Sequence, residues 1–204
     1  MRDITLLIAH PDDEALFAWP VLDRVKKIVC VSNDKTNASR HWCRDRGLCL
    51  NSVGELLGAE VVQYDLDSEF YRLPTRGGEL KAIATNVMDD LRGSDIIYTH
   101  NGWGEYGNID HILCHHIART LQAQTGCQLL ISDIAQEINW LPVRPWALES
   151  YDDSGADNRV AAHGQHTIFD IDRPLFGRIK AIYDARGCWT WAWEPQGSCQ
   201  VFSI

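Results

Sequence analysis

Ile4-Thr5-Leu6-Leu7-Ile8-Ala9 runs without a break into His10-Pro11-Asp12-Asp13-Glu14. An apolar run of that length predicts a buried strand, and the helix-compatible stretch Glu14-Ala15-Leu16-Phe17 begins where it ends. In open α/β sheets this strand end is where ligands bind. An imidazole and two adjacent carboxylates there supply one nitrogen ligand, one oxygen ligand and a spare base. Those are the parts of a hydrolytic zinc centre that keeps positions open for water. The competing reading is that Asp12 and Asp13 merely begin a helix, where acidic residues are common. The pentapeptide alone does not separate the two.

Outward from this stretch, the chain alternates strand and helix. Lys27-Ile28-Val29-Cys30-Val31, Val61-Val62-Gln63-Tyr64, Asp95-Ile96-Ile97-Tyr98-Thr99 and Gln128-Leu129-Leu130-Ile131 read as four further strands. Between them, Ser39 to Leu57, Glu79 to Leu91 and Asp110 to Leu121 carry helical spacing, with Gly58 and Gly93 where C-caps belong. The pattern predicts an α/β fold: a three-layer, Rossmann-like arrangement whose mostly parallel sheet is flanked by helices, with right-handed crossovers. With 204 residues, 45% of them hydrophobic, the chain suits a single domain over 1–204. A stretch rich in Pro, Asp, Gly and Ser, taken as 142–165, reads as a surface loop bordering the active site.

Composition narrows the function. A formal charge of −9 and a pI near 5.3 argue against a nucleic-acid partner, which would want a basic face. No apolar stretch is long enough to span a bilayer, and Met1-Arg2-Asp3 leads into a strand rather than a signal peptide, so a cytoplasmic location is expected. Seven cysteines, odd in number and without a Cys-x-x-Cys pair, suggest neither a disulfide framework nor a four-thiolate metal site.

Thr99-His100-Asn101-Gly102-Trp103-Gly104-Glu105-Tyr106-Gly107-Asn108-Ile109-Asp110-His111 follows the fourth strand and should emerge on the same sheet edge as His10. Three glycines make a tightly turned loop, Asp110 is placed to cap the next helix, and His111 would face the cleft at its start. His115, one turn on, is a rival or companion ligand, whereas His116 points elsewhere.

Together, Ala9-His10-Pro11-Asp12-Asp13-Glu14 and Trp103-Gly104-Glu105-Tyr106-Gly107-Asn108-Ile109-Asp110-His111 resemble the PIG-L/LmbE family of zinc-dependent N-deacetylases. The likeness in order of elements covers roughly residues 3 to 132. The resemblance implies removal of an acetyl group from an N-acetylglucosamine-type sugar or conjugate. It also implies one Zn2+, or another divalent transition metal, held by His10, Asp13 and His111, with Asp12 as general base. It implies catalytic roles for Asn108 and Asp110, and substrate contacts from Arg46, with Arg44 as competitor, and from Trp103 and Tyr106.

One departure stands out, because Asn108 occupies the place where the family carries a histidine, which Asp110 would normally orient. An amide can still donate to an oxyanion, and losing one such donor typically costs about 2.7 to 4 kcal/mol of barrier. Proton return to the amine would then fall to Asp12, with His100 as a spatial substitute for the missing imidazole. Amide hydrolysis by this set needs Asp12 raised in pKa by burial while the nearby cation pulls the other way. Glu14 is expected behind the ligands or at the helix start.

Cys188-Trp189-Thr190-Trp191-Ala192-Trp193, opening a Trp-rich segment over 188–204, would align three indoles on one face if extended. That face suits stacking on a sugar, packing on the domain body, or contact with a second copy of the chain. His163 and His166 are further residues for the cleft. The expected partner is a small N-acetylated sugar or conjugate. Two other readings remain: a catalytically weakened sugar-binding protein, suggested by Asn108, and an amidase on a non-sugar amide.

Overall fold

In strand β1 (Ile4–Ile8) the side chains alternate between two separate apolar layers. Ile4, Leu6 and Ile8 enter one, and Leu7, with Ala9 beyond it, enters the other. This duplication is why the strand reads as an unbroken apolar run: both faces of a parallel sheet are covered. The computed structural model describes residues 3–32, 45–65, 77–102, 104–132, 166–189, 191, 194–195 and 197–204. The expected 142–165 loop, Arg44, Trp103, His163 and Trp193 lie outside these, as do the side chains of Tyr106 and His166.

After β1 come α1 (Asp13–Phe17), a 3-10 turn (Trp19–Arg24), β2 (Val25–Cys30), α2 (Arg46–Leu57), β3 (Glu60–Gln63) and α3 (Gly77–Leu91). Then follow β4 (Ile96–Thr99), α4 (Gly104–Gly107), α5 (Ile109–Thr125), β5 (Gln128–Ser132), β6 (His166–Asp170), α6 (Arg173–Asp184) and β7 (Ser198–Ser203). The sheet order is β3-β2-β1-β4-β5-β7-β6. The first five strands run parallel, and β7 is antiparallel to both its neighbours. The mostly parallel, helix-flanked α/β architecture is therefore the one the sequence predicts.

One apolar layer joins Cys49, Leu50 and Val53 of α2 with Phe176, Ile179 and Tyr183 of α6. The other joins Val87 and Leu91 of α3 with Cys114, Ile117, Ala118 and Leu121 of α5. Full burial of each such aliphatic or aromatic side chain contributes about 1.5–3 kcal/mol. Helix α2 approaches β3 closely because Gly54 has no side chain: a Cβ there would meet Val61 Cγ2 at 2.2 Å.

The five expected strands are present with ends shifted by a residue or two. The antiparallel pair β6 and β7, and the intervening α6, were not expected. A start signal for α6 is nonetheless present in Asp172-Arg173-Pro174: the Asp172 carboxylate accepts from the Leu175 N–H, and proline occupies the first turn. Residues 189 and 191 precede β7 rather than forming a strand.

Sheet order fixes where chemistry can occur. The chain winds outward from β1 through β2 to β3 and then returns to β4 on the other side of β1. The β1/β4 boundary is a topological switch point, which opens a crevice beyond the strand ends. With Leu7 paired to Thr99, the segments after Ile8 and Thr99 leave the sheet side by side.

Candidate metal centre

The turn after β1 is braced by its own residues. Asp12 has a φ of 105°, left-handed for a residue with a Cβ, a conformation that costs about 1–2 kcal/mol and that aspartate tolerates better than most residues. Its N–H donates to Glu14 Oε2 at 3.0 Å, while its carbonyl accepts from Ala15 and Leu16 to open α1. The His10 N–H donates to Asp13 Oδ2 at 2.7 Å. This strained turn aims His10 and Asp13 towards β4 and turns Asp12 towards α2.

His111 arrives from the first turn of α5. The cap of that helix is Asn108, whose Oδ1 accepts from the Asp110 N–H at 2.9 Å, so the cap lies two residues before the Asp110 expected from sequence. His10, Asp13 and His111 each bring one ligand atom to within 4.8 Å of the others. His10 Nδ1 and His111 Nε2 both lie 3.5 Å from Asp13 Oδ2. Two imidazole nitrogens and a carboxylate oxygen are the donor set of a catalytic zinc site, which takes three protein ligands and leaves a position for water. By this donor chemistry the residues fit a zinc ion.

The Asp110 carboxylate does not orient Asn108. Its Oδ2 lies 2.9 Å from His10 Nε2, the carboxylate-imidazole contact that fixes a ligand's ring and raises its basicity. Burial lowers the pKa of His10, but Asp110 and Asp13 outweigh it and raise it to about 10. Burial likewise opposes ionisation of Asp13, yet His111, His10 and His100 hold it well below the carboxylate range.

Behind the ligands lies a layer the sequence reading did not assign. His100 stacks on His111, with ring centroids 3.8 Å apart and planes 21° from parallel. Glu105 Oε2 is 3.0 Å from His100 Nδ1 and 2.6 Å from His111 Nδ1. Burial raises the pKa of Glu105, but the two imidazoles bring it down to about 2, so this carboxylate accepts from both rings. Glu105 and Asp13 also pull His100 up, against burial, to about 9. The Ala9 N–H aimed at His100 Nε2 from 3.1 Å requires a lone pair there, however, and this fixed backbone donor decides for the neutral Nδ1–H tautomer. With both nitrogens engaged, His100 supports the ligands rather than replacing the imidazole missing at Asn108. His115, the rival ligand, sits against the His100 carbonyl at 2.9 Å, and His116 is exposed.

On the other side, Arg46 Nη2 contacts Asp12 Oδ2 and the Pro11 carbonyl, each at 2.5 Å. The Trp191 indole N–H donates to the same Asp12 oxygen at 3.2 Å. Burial raises Asp12 to about 6, with Arg46 pulling the other way. Glu14, fully buried, accepts from the Tyr183 hydroxyl at 2.6 Å, and burial drives it up to about 8. The aligned tryptophans are divided: Trp189 packs edge-on against Phe176 and Tyr183, whereas Trp191 reaches Asp12 and Phe17. Of the expected site residues, His10, Asp12, Asp13, Arg46, Asp110 and His111 converge, and Asn108 lies at the adjoining helix start. Glu105 and Tyr183 join them without having been assigned a role in the site, and Trp191, expected as one of an indole face, joins as a partner of Asp12.

Comparison with known proteins bears on the family and the fold. The family model PIG-L, described as GlcNAc-PI de-N-acetylase, matches residues 5–122. Among curated proteins no sequence matches. The fold is shared with the solved A40926 pseudoaglycone deacetylase Dbv21, at a TM-score of 0.62 and 12% identity over 99% of this chain and 97% of that one. A deacetylase-teicoplanin complex gives a TM-score of 0.60 and 11% identity over 98% of both chains, and the zinc-inhibited form of teicoplanin deacetylase Orf2 gives the same values.

Proposed function

The chain belongs to the PIG-L (GlcNAc-PI de-N-acetylase) family, and on that premise we propose that it hydrolyses the acetamide of an N-acetylated sugar or sugar conjugate in a metal-dependent reaction. The observation that carries the reading is the convergence of His10, Asp13 and His111 beside the buried carboxylate of Asp12. A zinc ion held by those three would lower the pKa of bound water and polarise the acyl oxygen. Structural relatives that are deacetylases, one of them in a complex with teicoplanin, support deacetylation, and the zinc-inhibited form of another is a relative of this fold that responds to zinc.

The protein's own groups supply the proton transfers. Asp12 is the general base, and burial keeps its pKa near 6, close enough to neutrality both to take a proton from water and to return it to the departing amine. Arg46 and Trp191 both hold its Oδ2, so Oδ1 is the oxygen that meets the water. Asp110 holds the His10 ring through Nε2. Asn108 spends its side-chain oxygen on the helix cap, which turns its amide nitrogen into the donor for the developing oxyanion. Arg46, Trp103 and Tyr106 are proposed to meet the substrate, Arg46 while still paired with Asp12.

The test joins metal analysis to amine release across N-acetylglucosamine derivatives. Asp12→Ala is expected to keep its metal and lose nearly all turnover, and His10→Ala to lose the metal. Wild-type protein with neither zinc nor amine release would end the reading.

A further inference from the structure

We infer that Glu105 is the positioning residue of the metal centre: its one carboxylate orients the ligand His111 and holds the His100 ring stacked against it. The inference rests on the metal centre proposed above and extends it to a residue that bears no ligand atom there.

Three donors meet this carboxylate. Oε2 receives Nδ1–H of both His100 and His111, at 3.0 and 2.6 Å. Oε1 receives the Asn101 N–H at 3.1 Å, and the Glu105 N–H answers by donating to Asn101 Oδ1 at 2.9 Å. With Nδ1 protonated, His111 turns the lone pair of Nε2 towards Asp13, the side on which a ligand nitrogen must face a cation. His100 is fixed by the same oxygen, and its ring lies stacked on His111 with centroids 3.8 Å apart, which holds the ligand ring from its face. The backbone is strained to allow it: Glu105 has a φ of 55°, left-handed for a residue with a Cβ. A side chain held in that conformation and almost fully buried has a specific task rather than a general packing one.

His100, Glu105 and His111 also have ligand atoms within 4.8 Å of one another, so a second metal site is the rival reading. The stacking argues against it. Imidazole binds a metal in the plane of its ring at about 2.0–2.1 Å, and an ion that close to the Nδ1 atoms of both rings, stacked 3.8 Å apart and 21° from parallel, would lie well outside each plane. A carboxylate oxygen with several lone-pair directions accepts from both without that requirement.

Glu105→Gln tests the inference because both carboxylate oxygens act as acceptors and an amide must set an NH2 against one of them. Glu105→Gly is the companion variant, free of the left-handed strain, should the glutamine protein fold poorly. The measurements are zinc stoichiometry and affinity by chelator competition, thermal midpoint, and the His100 and His111 tautomers in metal-free protein by long-range 1H–15N NMR. Wild type should bind one zinc and show Nδ1–H on both rings. A folded variant should lose that pattern and bind zinc about 10 to 100 times more weakly. Unchanged affinity in a folded variant overturns the inference, as does a wild type that binds two zinc ions of which Glu105→Gln loses one. If wild type binds no zinc, the metal-centre reading fails and the tautomers alone decide: Nδ1–H on both rings, lost in the variant, upholds the positioning, and any other pattern overturns it.

Discussion

Arg46 Nη2 lies 2.5 Å from Oδ2 of Asp12, and both side chains are buried. A guanidinium expected to greet substrate is instead paired with the base. Breaking a buried pair strands the remaining charge and typically costs about 3–5 kcal/mol. Arg46→Met should therefore lower the melting temperature by about 6–20 °C, at roughly 2–4 °C per kcal/mol for a chain of this size, as well as reduce turnover. An unchanged melting temperature with only KM raised would make Arg46 a substrate contact and nothing more.

Asn108 combines a structural and a chemical function that substitution can separate. Aspartate keeps the oxygen that accepts from the Asp110 N–H but lacks the amide donor. Asn108→Asp should leave thermal stability nearly unchanged while kcat falls by about 100 to 1,000-fold, the usual loss for one oxyanion donor. Asn108→Ala should show the same kinetic loss plus about 1 kcal/mol of destabilisation from the vacated cap. Full activity in Asn108→Asp would remove the residue from catalysis.

Glu14 links stability to pH in the metal-free protein. Burial raises it to about 8 from an ordinary value of 4.5. Below pH 4.5 the group is protonated folded or unfolded, and its contribution is fully present. As pH climbs, the unfolded chain gives up the proton first, so stability drains away up to about pH 8, where the folded form also ionises. Glu14→Gln can keep an acceptor for the Asp12 N–H and does not titrate, so its melting temperature should fall less between pH 5 and 8 than that of wild type. Parallel curves for the two proteins would refute this.

Gly54 leaves no room for a side chain between helix α2 and β3. A methyl group 2.2 Å from Val61 Cγ2 and 3.1 Å from the Ala59 carbonyl forces α2 and β3 apart. Gly54→Ala should destabilise by about 1–3 kcal/mol despite alanine's better helix propensity, read by denaturant melts. A stabilised variant would mean that α2 shifts freely on β3.

The parallel half of the fold was legible because its strands announce themselves locally. Ile4 to Ala9 is apolar throughout, and Gly58 adopts the left-handed C-cap its position suggests. His10, Asp13 and His111 were legible for a related reason, since each sits beside a strand end whose place in the sheet follows from topology. Arg46 was found as a residue but not as a partner of Asp12, because pairing between positions 12 and 46 leaves no spacing to read. Glu105 was hidden by its backbone, which takes a conformation normally reserved for glycine. Strand β6 was hidden because it lies at the sheet edge with Thr167 and Ile168 exposed, which removes the apolar run that marks an inner strand.

The insertion of β7 between β5 and β6 sets an order in time. Strand β6 leaves the ribosome before the strand it pairs with, and it cannot dock until residues 198–203 follow. All three candidate metal ligands are synthesised within the first 111 positions, whereas Trp191 reaches back 179 residues to Asp12 and Tyr183 reaches back 169 to Glu14. A nascent chain thus gathers its metal ligands early and braces its base last. A chain ending before Tyr183 would carry all three candidate ligands and neither brace.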